Sequence, residues 1–233
     1  MDMLTPDLRL AATRFRAVVF DLDGTLVDSA PDLAAALNRL LAAERRREVT
    51  LDEVKAMVGD GVRMIVRRGL RATGEDVADH ELDGLVKRYV ADYERNATDL
   101  TRLFPQAEET VVALRAAGAQ SAVCTNKPFR ASATILEDLG VAHLFDAVIG
   151  GDSTARRKPD PLPLSTTLER LGVPPDDAVY VGDSEVDVQT ARAVGVPVIA
   201  MRHGYSRRPI AEIGADRVID GFDGLGGALA SLI

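Results

Sequence analysis

The sequence predicts an α/β protein in which a doubly wound parallel sheet is interrupted after its first strand by an all-helical insert. The run Ala17-Val-Val-Phe20 is short and wholly apolar, and it ends in two carboxylates, Asp21 and Asp23. It reads as a strand buried on both faces, as in a parallel sheet. From residue 105 onward, strand-like and helix-like patterns alternate, as a parallel sheet with right-handed crossovers requires. Between residue 29 and about residue 100 no run reads convincingly as a strand. The core is therefore expected over residues 1–28 and 100–233, with the helical insert over 29–99.

Taken in order, residues 1–15 read as a short polar lead-in to the first strand. Ser29-Ala-Pro31 then opens a helix to about Ala43, with Leu33, Leu37, Leu40 and Leu41 on one face. Proline suits a first helical turn, and Ser29 is the expected cap. Helical patterns follow near 51–58, 61–72 and 78–95, separated by Val58-Gly-Asp-Gly61 and Ala72-Thr-Gly74. In the second half, helix 106–117 precedes strand Ser121–Cys124, helix 130–139 precedes Ala147–Ile149, and helix 161–171 precedes Ala178–Val181. Helix 185–193 precedes Val198–Met201, and a weak strand, Val218–Ile219, precedes a terminal helix.

Composition narrows the class. The 233 residues are 46% hydrophobic and 27% charged, ordinary globular usage that permits a sizeable core. The net charge, 28 − 36 = −8, argues against nucleic acid or an anionic membrane as the main partner. The single cysteine, Cys124, excludes an internal disulfide and suits a reducing compartment. The first residues carry acids and no long apolar run, so neither a secretory signal nor an anchor is expected. A cytoplasmic protein, monomeric or homodimeric, is the expectation.

The chemistry gathers at strand ends. In open α/β sheets, ligands bind outside the carboxyl ends of the strands. Asp21 and Asp23, two apart on an extended backbone, can face one small volume, and Gly24 lets the chain turn away. The second core strand ends in Thr125 and Asn126. Arg156-Arg-Lys158-Pro-Asp-Pro161 follows the third, and the fourth ends in Asp183, with Asp187 four residues on. Carboxylates crowded in a cleft repel one another and call for a cation. Oxygen-only ligands suit Mg²⁺, and a lysine, a hydroxyl and an amide suit a bound phosphate. Taken singly these residues have plainer readings. An EF-hand fails because its glycine belongs at the sixth position and Gly24 is fourth, whereas Asp183 and Asp187 would each serve as helix N-terminal acids.

Asp21-Leu-Asp-Gly-Thr25, Cys124-Thr-Asn-Lys127, Lys158-Pro-Asp-Pro161 and Gly182-Asp-Ser-Glu-Val-Asp187 resemble, in order, the four motifs of the haloacid dehalogenase superfamily. The resemblance spans essentially the whole chain, including the place of a helical cap after the first motif, and implies a Rossmann-like core. Within the superfamily, Asp28-Ser-Ala-Pro-Asp-Leu33, Val58-Gly-Asp-Gly61, Thr125-Asn-Lys127 and His203-Gly-Tyr205 look most like phosphoglycolate phosphatases.

The resemblance implies that Asp21 is a nucleophile attacking phosphorus and that Asp23 is a general acid and base. It further implies that Asp21, the Asp23 backbone carbonyl and Asp183 hold Mg²⁺. Thr125 and the Asn126 amide would hold phosphate oxygens, Lys158 would bridge phosphate and nucleophile, and Asp187 would support it. The implied activity is hydrolysis of a small phosphomonoester, with 2-phosphoglycolate as the expected substrate. The alternatives are a sugar phosphate or a phosphosugar mutase reaction. A non-catalytic phosphate-binding module on the same fold remains a different class of answer, against which the retention of Asp21 and Asp23 argues.

The insert is expected to choose the substrate. Between residues 44 and 71, eight basic residues face five acidic ones, net +3 in a chain of −8. Arg63, Arg67 and Arg71 share one helix face. Arg63, nearest the Gly59-Asp-Gly61 turn, is the candidate reader of an anionic substrate, against the plainer reading of a solvated basic face. His80, His143 and His203 show no ligand spacing, and His203 is expected to be structural.

Overall fold

A computed structural model describes residues 14–232. Of the expected lead-in, residues 1–13 lie outside the described residues, and Phe15 is a buried core residue rather than part of a polar segment. The strands are β1 (Ala17–Phe20), β2 (Val27–Asp28), β3 (Arg102–Leu103), β4 (Gln120–Cys124), β5 (Ala147–Ile149), β6 (Ala178–Gly182), β7 (Val198–Met201) and β8 (Arg217–Ile219). The α-helices are α1 (Ala30–Ala43), α2 (Leu51–Lys55), α3 (Val62–Thr73), α4 (Asp79–Tyr93), α5 (Ala107–Ala116), α6 (Phe129–Asp138), α7 (Leu162–Leu171), α8 (Glu185–Val194) and α9 (Leu225–Ala230).

Six strands form one parallel sheet in the order β5-β4-β1-β6-β7-β8. The chain builds outward from β1 on one side and then crosses to the other, so the strand order reverses beside β1, the place where open α/β sheets bind ligands. All four β1 residues are buried, because alternate residues face different layers. Val18 and Phe20 pack with Leu114, Ile135 and Leu229 from α5, α6 and α9. Ala17 and Val19 pack with Leu164, Leu168 and Ala191 from α7 and α8. A strand sandwiched between two helical layers has no polar face, which accounts for its unbroken apolar sequence.

The insert is helical, as the spacing predicts. Leu33, Leu37, Leu40 and Leu41 of α1 are all buried, and their cluster runs on into Ile65, Val66, Leu70, Leu82 and Tyr89 of α3 and α4. Between residues 29 and 100 there is no strand, as expected. Just outside those bounds β2 pairs antiparallel with β3, where the chain leaves and re-enters the core, a pair the sequence reading did not give. Two-residue strands carry too little periodicity to be seen in sequence.

Ser29 occupies the N-cap of α1 but makes no side-chain cap bond; its hydroxyl donates instead to Asp23 Oδ1. The return of the chain is clamped by Asp32 in the first turn of α1. Its buried carboxylate accepts from the Leu100 amide (3.0 and 3.1 Å), the Thr101 amide (2.7 Å) and the Thr101 hydroxyl (2.7 Å). Hydrogen bonds to a buried charge are worth roughly 1.5–3 kcal/mol each, and deleting the acceptor strands two backbone donors. Asp32→Ala is therefore expected to lower unfolding stability by about 3 kcal/mol in urea titrations, with Asp32→Asn losing less.

Candidate active site

The carboxyl ends of β1, β4 and β6 bring the first, second and fourth motifs to one edge, and the loop after β5 delivers Lys158. The Lys158 ammonium is almost fully enclosed, 3.1 Å from Asp21 Oδ2 and 2.7 Å from Asp187 Oδ1. It also donates to the Tyr180 hydroxyl at 2.8 Å, which itself lies 2.7 Å from the Cys124 carbonyl it bonds to. Tyr180, in the middle of β6, thus ties the second, third and fourth motifs together. Sequence reading passed over it as core, although an aromatic residue with a polar tip two residues before Gly182 needs a hydrogen-bond partner when buried.

Both carboxylate oxygens of Asp187 are engaged. Oδ1 takes Lys158, while Oδ2 accepts from the Asp183 and Ser184 amides (3.1 and 3.0 Å) and the Ser184 hydroxyl (2.6 Å), closing a capping box at α8. Asp183 is held by the Tyr205 amide on Oδ2 and the Thr25 hydroxyl on Oδ1 (3.3 Å). Gly24 and Gly204 wall it in: an added Cβ would lie 2.4 Å from Asp183 Oδ2 at Gly24, and 2.1 Å from Asp183 Cβ at Gly204. Gly24 also has φ +80°, so glycine is required there on both counts.

These enclosures shift the carboxyls. Burial pushes Asp21 up to about 6, with Asp187 adding to the rise and Lys158 and the Thr125 hydroxyl opposing it. Burial, then the charges of Asp187 and Asp21, raise Asp183 well above the ordinary range. At Asp187 burial is outweighed by Lys158 and the Ser184 bonds, and the carboxyl stays low. Burial likewise works against the Lys158 ammonium, but Asp187 and Asp21 hold its pKa above the ordinary value. Burial also pushes the Cys124 thiol up to about 12, the mark of an inert core residue.

Asp21, Asp183 and Asp187 can each place one oxygen within 4.8 Å of the others. Fully ionised, three carboxylates against one lysine would leave two uncompensated negative charges in a buried pocket, and oxygen donors of this kind fit a hard divalent cation. Each Asp187 oxygen already meets two or more internal donors. Each Asp183 oxygen meets one, and Asp21 meets the Leu22 amide on Oδ1 and Lys158 on Oδ2, so Asp21 and Asp183 keep more lone-pair capacity for a cation. The Asp23 side chain is turned elsewhere: its carboxylate accepts from Ser29 and from Lys127 Nζ at 2.9 and 3.2 Å. Lys127 follows Asn126 in the second motif, yet it was not singled out in sequence as a site residue.

A cavity of about 50 Å³ lies over these groups. Asp21, Asp23, Thr125, Asn126, Lys127 and Asp183 line it from the core, and Val58, Val62, Ile65, Tyr89, Val90 and Tyr93 line it from the insert. The Asn126 side chain fastens the two together, donating to the Gly59 carbonyl at 2.9 Å and the Lys158 carbonyl at 3.0 Å. Arg207 reaches Asp60 across the same edge at 2.7 Å.

Arg63 does not line the cavity. Its guanidinium is paired with Asp79 and Asp83 on the exposed side of α4, while Arg67 and Arg71 pair with Asp76 and Asp79. The basic face of α3 therefore docks α3 onto the start of α4, and Arg63, expected to read the substrate, is committed to these acids and does not line the cavity. Its acids lay beyond the next turn, where helical spacing cannot show them. His203 stacks on Phe104 with ring centroids 3.8 Å apart, a packing role.

Buried carboxylates that need a cation, set beside a buried lysine at the switch point of a doubly wound sheet and roofed by helices, define an enzyme built to hold a small anionic group. A family model described as haloacid dehalogenase-like hydrolase matches residues 18–201, and the chain belongs to that family. The chain is 44% identical over 215 residues to a phosphoglycolate phosphatase of Rhodospirillum rubrum, covering 91% of this chain and 89% of the relative. It is 46% identical over 196 residues to a phosphoglycolate phosphatase of Cereibacter sphaeroides, covering 84% and 89%. Among solved structures, a predicted phosphoglycolate phosphatase from Haemophilus somnus superposes with a TM-score of 0.87 at 31% identity, covering 92% of this chain and 98% of the other. Among the described residues, no helix is long and apolar enough to cross a membrane.

Because Asp21 and Asp183 sit above their unfolded values, the metal-free folded state binds protons that the unfolded chain releases. That proton-linked stability is present below the ordinary value of 3.8 and is lost as pH rises through about 6. A cation competes with those protons. Mg²⁺ or Mn²⁺ is thus expected to raise Tm by several degrees near pH 7.5 and by much less near pH 5, read by differential scanning fluorimetry. Equal shifts at both pH values, or an undiminished shift in Asp183→Asn, would contradict a metal held by these carboxylates.

Proposed function

We propose that the protein is a Mg²⁺-dependent phosphatase that hydrolyses a small phosphomonoester, 2-phosphoglycolate, through a phosphorylated Asp21. One observation carries this reading: Asp21 lies at the floor of the cavity with Lys158 on one oxygen, beside Asp183 and next to the Thr125 strand end. The family and the names of the relatives support the same activity.

In the proposed cycle, an Asp21 oxygen attacks phosphorus as the bond from phosphorus to the ester oxygen breaks. Protonated Asp23 gives its proton to the departing alkoxide. Asp23 then takes a proton from water, which attacks the phosphoryl group and releases phosphate with the Asp21 carboxylate restored. Lys158 neutralises Asp21 and steadies the transferring oxygens, and Asp187 with Tyr180 fixes where Lys158 points. Thr125 and the Asn126 amide bind the remaining phosphoryl oxygens. Asp21, the Asp23 carbonyl and Asp183 would hold Mg²⁺, which when bound offsets charge between an anionic nucleophile and an anionic phosphate. Residues 29–99 act as a cap over the core formed by 1–28 and 100–233, keeping bulk water out. The apolar side chains that the insert sets over the cavity (Val58, Val62, Ile65 and Val90) favour a short ester over a polyhydroxylated sugar phosphate.

Steady-state assays of a phosphate-ester panel test this. Phosphoglycolate is expected to be preferred, chelation to abolish turnover and Mg²⁺ to restore it. Asp21→Asn is expected to cost at least about 10⁴-fold in kcat, and Asp23→Asn about 10²–10⁴-fold. Full activity in Asp21→Asn would refute the mechanism. Preference for a hexose or ketose phosphate, or net isomerisation of a phosphosugar, would refute the substrate.

A further inference from the structure

Lys127 has more capacity than its contact with Asp23 uses. It is only 6% exposed and is the one cation among the described residues that line the cavity. An ammonium has three N–H donors. Asp23 takes the ammonium through both carboxylate oxygens, at 2.9 and 3.2 Å. The ammonium also lies 4.7 Å from the centre of the Tyr93 ring. Tyr93 comes from α4, across the cavity, and is 4% exposed. Its hydroxyl is buried with no hydrogen-bond partner, which is costly unless a ligand supplies one. A buried cation with a donor to spare, from the core wall, and an orphaned hydroxyl, from the insert wall beside Val58, Val62, Ile65 and Val90, form a polar subsite of the cavity.

We infer that Lys127 and the Tyr93 hydroxyl read the carboxylate of the substrate's leaving group, and so select a short carboxylate-bearing phosphoester over neutral esters of the same length. The inference rests on the phosphatase reading above, in which Asp23 meets the leaving oxygen. In a glycolate leaving group the carboxylate is joined to the carbon that bears that oxygen. An ammonium already touching Asp23 therefore reaches the carboxylate when Asp23 touches the oxygen. A carboxylate without a cation would be expelled from the dry cavity, and a neutral ester would leave Lys127 and Tyr93 unanswered. Because one partner comes from the core and the other from the cap, the subsite is complete only with the cap in place. Lys127 and Tyr93 would thus take the specificity role that Arg63, committed to α4, does not.

The test compares kcat/KM for 2-phosphoglycolate and for 2-hydroxyethyl phosphate, which replaces the carboxylate by a neutral alcohol. Wild type is expected to prefer phosphoglycolate by about 100-fold or more, and Lys127→Met to erase most of that preference. Tyr93→Phe is expected to lower the preference by about 10-fold, mainly through KM, and serves as the test if Lys127→Met does not fold. Binding of glycolate alone, followed by calorimetry, should weaken in the same variants. Equal proportional losses on both esters, with glycolate binding unchanged, would overturn the inference and leave Lys127 as a positioning residue for Asp23. The two proposals fail separately. If wild type hydrolyses no phosphoester yet binds glycolate through Lys127, the phosphatase reading falls and the carboxylate subsite stands.

Discussion

Much of the molecule is arranged around a single buried ammonium. Lys158 sits between Asp21 and Asp187, with the Tyr180 hydroxyl as a third partner. A lysine without such partners could not remain charged at this depth, and carboxylates without the lysine could not both ionise. The arrangement asks for four chain segments to end at one edge of the sheet, which only a parallel sheet with β1 at its centre provides here. Even then the charges do not balance. Asp183 remains beside Asp21 with its carboxyl raised by burial and by its neighbours, so the pocket is incomplete as a set of protein groups. That unmet charge makes the site receptive to a cation, and the cation would make it receptive to a phosphate.

Small residues let these charges approach. Gly24 and Gly204 press against Asp183, and a Cβ at Gly182 would lie 2.4 Å from the Asp187 carboxyl carbon. At Gly151 an added Cβ would lie 2.3 Å from the Asn126 carbonyl oxygen. The strand-end loops therefore pack backbone against functional side chain, with little room for adjustment. Pre-organisation of this kind favours charge stabilisation during reaction over flexibility of the site.

The insert divides its charge between two tasks. Its outer arginines join helix to helix, while its inner face is mostly apolar, with Tyr89, Tyr93 and Glu94 as the polar side chains that line the cavity. Asp32 and the β2–β3 pair secure the two chain crossings, and Asn126 and Arg207 hold the loop at Gly59-Asp60 against the core. Contacts of this sort join an insert to a core at its edges and leave the centre for a ligand.

The sequence by itself determined the sheet, the helical insert and the residues gathered at the strand ends. An unbroken apolar run, periodic leucines and carboxylates at strand termini are local patterns, governed by backbone geometry that repeats every two or 3.6 residues. The tertiary structure alone decided which of those charges find one another. Arg63 looked free because Asp79 and Asp83 lie on another helix, and Ser29 looked like a cap because Asp23 was six residues away with a turn between. Lys127 passed as a motif neighbour until the fold set it between Asp23 and Tyr93, and Tyr180 passed as core until Lys158 arrived from another loop. A hydrogen bond depends on distance and angle in space, to which separation along the chain gives no guide beyond a turn or two.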